Sequence, residues 1–513
     1  LTDNELLEIR YSGKPAAFLR AFKAGYFSIL YNFIVMGWVI NAMASVMSVM
    51  LNMDKWTAVW LCVIIALVYA ILSGFWGVVI TDLVQFCIAM FGSIALAIIA
   101  LNHVGGMESL LSKLSGMLGS DAVHENTIKF IPPVPDTGVT TSAFWESPFS
   151  KFLIFISVMW WSHHGTDGGG YIIQRMSSAK NERHALLATL WFNLAHYALR
   201  VWPWVIVAVV SIVMFPVIPD SYSELGVKAG YPLVMNTLLG PGLKGILIVS
   251  FLAAFMSTID THLNWASSYI INDIYKRFFK PDESESHYVL VGKISTAILM
   301  VMAAFTAMKM QSISKAWEFI FSMGAGIGLV LILRWFWWRV NAWSEITALS
   351  TSIIVTLILE TIASIQTIQA GNEYTLFGSA PVLFGISLQI HHKLMIIVPL
   401  AVTAWIAATF FTKPEPNEIL TKFYQRVQPG GWWGPISQQI IHTMEPVTHG
   451  FIVQWIAGIM MVYGFTFGIG SLVFTKYSQA VVLLGFAMLG TFLVWNRSIS
   501  KLNKTQRTQT TQS

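Results

Sequence analysis

Charge is scarce in this sequence: of 513 residues only 11% are Asp, Glu, Lys or Arg, against roughly 25% in an average soluble domain. That excludes an ordinary water-soluble enzyme. Together with a hydrophobic fraction of 55%, it also excludes a disordered chain and a nucleic-acid binder. Cysteine is nearly absent. Cys62 and Cys87 are the only two, too few for a disulfide-stapled secreted domain, and both lie in apolar blocks where a small buried thiol is expected. Signatures of chemistry are missing as well. Gly292-Lys293 runs into Ile294 with no glycine five residues earlier, so there is no phosphate-cradling loop, and neither His-Glu-x-x-His nor Gly-x-Ser-x-Gly occurs.

What is abundant is apolar length. With 21 Trp and 33 Phe and a mean hydropathy of +0.63, the apolar residues fall into blocks at 18–50, 55–73, 76–103, 148–175, 185–216, 243–272, 286–309, 312–338, 343–367, 391–412, 449–473 and 476–496. Each is long enough to cross a bilayer as a helix, which predicts an all-α polytopic membrane protein of about twelve spans forming one transporter domain over 1–513. Alternate loops (the N-terminal segment, 175–184, 276–293, 334–339, 413–426 and the tail) hold 20 Lys and Arg. The opposite loops hold ten, all Lys. The positive-inside rule then places both ends in the cytoplasm of a plasma membrane or cell inner membrane. It makes 104–147 (with PPVPDTG) an extracytoplasmic loop, 413–448 (with KPEPNE and QPGGWWGP) a cytoplasmic loop, and 497–513 a polar tail. The opening stretch LLEIRYSGKPAAFLRAFKAGY lacks a leader pattern and reads as a cytoplasmic linker entering a span, with sequence expected before Leu1.

Two stretches carry chemistry. In Ala254 to Asn264 and on to Ser268, Ser257, Asp260 or Thr261, Asn264 and Ser268 recur every three or four residues, a polar stripe inside a span that must face protein or water. Ser257, Thr258 and the Ala254 carbonyl supply hard neutral oxygens of the kind a desolvated alkali cation accepts; interhelical Ser/Thr bonding is the alternative. The second stretch is Trp160 to Arg175. Gly168, Gly169 and Gly170 in succession cannot sustain a helix, which predicts a broken span of the kind that binds solute in secondary transporters, with Trp161, His163, His164 and Asp167 beside the break and Asp260 and Asn264 facing it. A metal-dependent membrane enzyme using His163, His164 and Asp167 has too few ligands for a di-iron site. Asp82 stands near the cytoplasmic start of the third span, as an ion exit residue or an end-pair. Arg200, mid-span, calls for a carboxylate, with Asp260 and then Glu318 as candidates. Gly324 to Gly328 reads as close helix packing, and Arg334 and Arg339 around Trp335, Trp337 and Trp338 as a snorkelling interfacial belt.

At these residues the chain resembles the sodium/solute symporter family, through LTDNELLEIRY before a span, SGFWGVVITDLVQ, the YIIQR closing the broken helix and, most specifically, LAAFMSTIDTHLNWASSYIINDIYKRF. LRWFWWRVNAWSEI and TKPEPNEILTKFYQRVQPGG resemble a bacterial branch of that family. The resemblance implies a leucine-transporter-type fold of five plus five inverted-repeat helices with extra C-terminal helices. In that frame the first three spans correspond to the last three of the first repeat, and the first core helices lie before Leu1. It implies Na+ as the coupling ion, held by the Ala254 carbonyl and the Ser257 and Thr258 hydroxyls, with Asp82 on the ion's path. The segment SHHGTDGGG is longer than its family counterpart, so the family's sugar ligands are not carried over. The implied activity is sodium-coupled import of a small organic solute (a sugar, an amino acid or a carboxylate) across the lipid bilayer by alternating access. Sodium supplies on the order of 2–3 kcal/mol per ion. The alternatives are a transporter-like membrane sensor, and a proton-coupled relative suggested by the titratable Asp260 and His262.

Overall fold

Helix starts are written locally in the sequence. Ser147, with Pro148 following it, and Asn181, Ser284, Ser312 and Asn341 each accept a hydrogen bond from the amide three residues on, which satisfies an otherwise orphaned donor. The computed structural model describes residues 2–72, 75–119, 129–135, 141–310, 312–371, 380–383, 385–438 and 449–496. The tail 497–513 and parts of the loops at 104–147 and 413–448 lie outside the described residues.

In chain order the helices are α1 (Glu5–Arg10), α2 (Gly13–Leu51), α3 (Lys55–Leu72), α4 (Phe75–His103), α5 (Gly106–Leu118), α6 (Thr141–Glu146), α7 (148–162), α8 (Gly170–Ser177), α9 (Glu182–Met214), α10 (Gly230–Leu238), α11 (Pro241–Phe279), α12 (Glu285–Lys309), α13 (Ile313–Gly324), α14 (Gly328–Phe336), α15 (Ala342–Gln369), α16 (Ile390–Phe411), α17 (Asn417–Val427), α18 (Gly434–Ser437), α19 (His449–Val473) and α20 (Tyr477–Val494). A two-stranded hairpin, Val382–Leu383 with Ile386–Ser387, is the one sheet among the described residues. Ten helical stretches among the described residues are long and apolar enough to cross a membrane. The apolar Lys55–Ala70 is shorter, and the block at 148–175 is divided between α7 and α8.

The core forms where inner faces of distant helices meet. α11 packs along α4 and α2, and α12 along α2 and α3, burying Met36, Ile40, Cys62, Phe255, Ile259 and Met300 in one cluster. A second cluster joins α2 and α11 to α13–α16 through Leu19, Phe27, Trp265, Tyr269, Phe319 and Trp405. α19 and α20 pair closely because Gly464 and Gly468 leave no room for a Cβ beside Ala487 and Leu484.

Three expectations change. Cys87 is exposed on α4 rather than buried, while Cys62 is buried; an outer face in lipid accepts an apolar thiol as readily as a core does. The loops at 104–147 and 413–448 carry helices. α5 buries Met107, Leu110 and Leu114, and α17 buries Leu420, Phe423 and Tyr424, each by the three-four spacing of an amphipathic helix. The span at 312–338 is interrupted as well as the one at 148–175. Gly326 between α13 and α14 takes φ +99°, and Gly168 and Gly169 before α8 take +105° and +71°, all in the left-handed region that favours glycine.

The two interruptions lie against each other. The Gly326 amide donates to the Ser162 carbonyl at 2.7 Å. A Cβ on Gly328 would come within 2.3 Å of the Trp161 carbonyl oxygen and 2.6 Å of that of His163. Main chain touches main chain here, so the glycines expected to pack helices also break one.

Candidate functional site

α11 carries the polar face. The Thr258 hydroxyl donates to the Ala254 carbonyl at 2.9 Å, the ordinary back-bond of a helical threonine, which leaves its lone pairs directed off the helix. The Ser257 hydroxyl donates to the Asp82 carboxylate of α4. Ser257, Thr258 and Asp82 are half-buried, and Ala254 is exposed. One turn further along, Thr261 accepts from the Arg175 guanidinium of α8 at 3.0 Å. The Ser257–Asp82 bond joins α11 to α4, and the Thr258–Ala254 pair lies on the same stretch of α11, so two helices contribute hard oxygens here, one of them a carboxylate. Such a set fits a sodium ion by its chemistry, and soft or nitrogen-preferring metals poorly.

The break between α7 and α8 holds the other expected residues, which separate in direction. The Trp161 indole bonds back to the Ser157 carbonyl at 2.7 Å. His163 accepts from the Gly165 amide at 2.8 Å. His164 lies with its ring 5.4 Å from Phe27 and 4.9 Å from Tyr31. On the α11 side Trp265 stands 6.0 Å from Tyr31, and the His262 ring is paired with Asn32 at 2.5 Å. Phe27 and Tyr31 belong to a π-helical stretch, Tyr26–Tyr31, a local widening common at functional sites. Aromatic and imidazole rings from α2, α11 and the break therefore meet in one place. Asn264 is half-buried and Asp260 buried on the same helix. Among the described residues no group of three or more His, Cys, Asp or Glu is placed to hold a metal ion.

Asp167 points elsewhere, into a buried ion network. It pairs with Arg334 at 2.6 Å, and Arg334 also pairs with Glu345 at 3.3 Å. Glu345 accepts from the Tyr11 hydroxyl at 2.7 Å and faces Lys23 at 3.5 Å. Arg334 is therefore no snorkelling belt residue: only 4% of it is exposed, and two carboxylates compensate its charge. Trp335 and Trp338 face 413–438 instead, while the Trp337 ring lies 5.8 Å from Phe410 of α16. The Trp433 indole donates to the Trp335 carbonyl at 2.8 Å, and the Trp432 amide donates to Phe336 at 2.6 Å. Beside them Arg10 donates to the Arg334, Trp337 and Trp338 carbonyls at the end of α14 and lies over the rings of Tyr11, Phe423 and Trp433. Glu8 closes the same end with Arg20 and Arg277. Partial burial opposes its ionisation, but hydrogen bonds from Arg277 and Arg20 hold its carboxyl below the usual range.

Sequence reasoning missed Phe27, Tyr31, Lys23, Glu345 and Arg10. Lys23 and Glu345 had one usable signal, since ionisable residues inside apolar blocks call for partners. Arg200 meets His196 at 3.1 Å and the Trp204 ring, and Glu318 pairs with Lys315.

The family model described as the sodium:solute symporter family matches residues 1–355. An osmoregulated proline transporter of Bacillus subtilis is 24% identical, over 60% of this chain and 57% of its own. Sodium/glucose cotransporter 1 of Oryctolagus cuniculus is 27% identical, over 66% of this chain and 54% of its own. The chain thus spans little more than half the length of these curated relatives, which are transporters rather than enzymes. A solved sodium-coupled sialic acid symporter in a substrate-bound outward-open state superposes with a TM-score of 0.57 at 17% identity, covering 81% of this chain and 78% of that one. The fold is the leucine-transporter type, five plus five inverted-repeat helices with additional helices at the C-terminal side.

Proposed function

Because the chain belongs to the sodium:solute symporter family, we propose that it takes part in sodium-coupled import of a small organic solute across a plasma or cell inner membrane. The single observation that carries this is the oxygen set on α11 and α4: the Ser257 hydroxyl on the Asp82 carboxylate beside the Thr258–Ala254 pair. Sodium, when bound there, supplies the charge that draws these oxygens together. Asp82 lies on the ion's route toward the cytoplasm, and the end bearing Arg175, Arg277 and Arg334 faces the cytoplasm by its positive charge. The broken helix α7–α8 and the rings of His164, Tyr31, His262 and Trp265 form the solute region, with Trp161, His163, Asp260 and Asn264 around it and Asp167 turned away to Arg334. A carbohydrate, an amino acid or a carboxylate suits such a mixture of aromatic faces and polar groups.

The test is tryptophan fluorescence of the complete protein in detergent, titrated with NaCl against KCl and repeated with L-proline, D-glucose and N-acetylneuraminate. A saturable sodium-specific change, weakened at least about tenfold by Ser257→Ala, supports sodium coupling, and a solute that tightens it begins to identify the substrate. A response to pH and none to sodium in folded protein overturns the reading in favour of proton coupling.

A further inference from the structure

Arg175 sits where the inner half of the broken helix meets the polar face of α11. It is half-buried on α8, and its guanidinium donates to Thr261 at 3.0 Å. Thr261 is three residues past Thr258 and four past Ser257, so it lies on the same helix face one turn along. Ser257 in turn bonds Asp82, and the Arg175 charge reaches both the Asp82 carboxylate and the His262 ring. A carboxylate inside a span demands a compensating cation.

We propose that Arg175 is a tethered stand-in for sodium: without the ion its guanidinium compensates Asp82 from Thr261, and sodium arriving at Ser257, Thr258 and Asp82 displaces it and frees α8. The inference rests on the sodium-coupled reading above and adds a positioning residue to it. α8 is joined to α7 through the stretch containing Gly168 and Gly169, whose left-handed φ values glycine adopts without strain and can leave as easily. A shift of Arg175 is therefore a shift of α8 as a unit. Two cations compete for one carboxylate, and the loser carries the inner half of the broken helix with it. Ion occupancy thereby becomes a position of α8 next to the solute region, which is the linkage that coupled transport requires.

Two measurements on the complete protein test this without a known solute: NaCl titration by tryptophan fluorescence, and hydrogen exchange of residues 170–177 in NaCl and in KCl. In the wild type, sodium raises exchange in α8. Arg175→Gln removes the competitor, so the half-saturating sodium concentration falls about tenfold, and exchange in α8 is already high and indifferent to sodium. Arg175→Lys, which keeps the charge, returns both readouts toward wild type. A sodium affinity that weakens or stays the same in Arg175→Gln overturns the proposal, because an anchoring arginine alone would give that result. Should Arg175→Gln not fold, Thr261→Val decides: tighter sodium binding supports displacement, and unchanged binding overturns it. A wild type that ignores sodium overturns the coupling reading itself, and this inference with it.

Discussion

Arg334 illustrates how a single side chain is decided by its neighbours. Its guanidinium holds Asp167 and Glu345 together, and Glu345 in turn meets Tyr11 and Lys23. Removing one partner from a buried ion network leaves an uncompensated charge, at about 3–5 kcal/mol. Glu345→Gln is therefore expected to lower the thermal unfolding temperature in detergent by several degrees. Glu418→Gln, which breaks the exposed pair with Lys422, is expected to leave it unchanged. Equal effects of the two would show that burial does not set the strength of these pairs. From the sequence, the placing of Ala254, Ser257 and Thr258 on one helical turn was legible from their spacing. The Arg334 pairs were not, since its two carboxylates are 167 residues away and 11 residues away across a turn of chain.

At the scale of elements, the two interrupted helices behave as one device. Gly328 has main-chain oxygens of Trp161 and His163 where a side chain would stand, and Gly326 donates across the contact to Ser162. Gly328→Ala must push the breaks apart, and sodium-dependent fluorescence is expected to be lost even where folded protein can still be purified. Gly458→Ala makes the matching control. It lies within α19 with nothing within 4 Å of the added Cβ, and alanine is the better helix former by about 1 kcal/mol, so stability is expected to hold or rise. Full sodium response in Gly328→Ala would show that the contact of the two breaks is dispensable. The sequence showed that Gly168 to Gly170 disfavour helix, whereas Gly324 to Gly328 read as helix packing; that the second group also breaks a span, and that the two breaks meet, depends on two stretches about 160 residues apart being packed together.

Across the whole molecule, the N-terminal segment and 413–438 together close the end of the bundle that carries most arginines. Glu415 accepts from the Ser12 amide and hydroxyl and from the Ala342 amide. The Arg10 guanidinium lies between aromatic faces and helix-end carbonyls, a place where a cation is stabilised by both. Trp433→Ala removes a ring from that enclosure and the indole bond to Trp335. Hydrogen exchange is then expected to rise in 6–12 and 334–340 and to stay unchanged in α19 and α20, which pack mainly on each other. A rise spread evenly over all helices would instead mean that the segment supports the entire bundle.

By itself the sequence determined what depends on near neighbours: membrane-length apolar helices, the caps that start them, the run Gly168 to Gly170 that interrupts one of them and the polar stripe on α11. Each follows from residues within about one or two helical turns, where propensity, periodicity and the hydrogen-bonding capacity of the backbone act directly. The tertiary structure decided which polar groups answer one another. It turned Asp167 toward Arg334 rather than toward the solute region, seated one helix break on the other, and set Asp82 beside Ser257. Away from water a charge or an open amide must find its complement on another helix, and which helix that is follows from how the bundle packs.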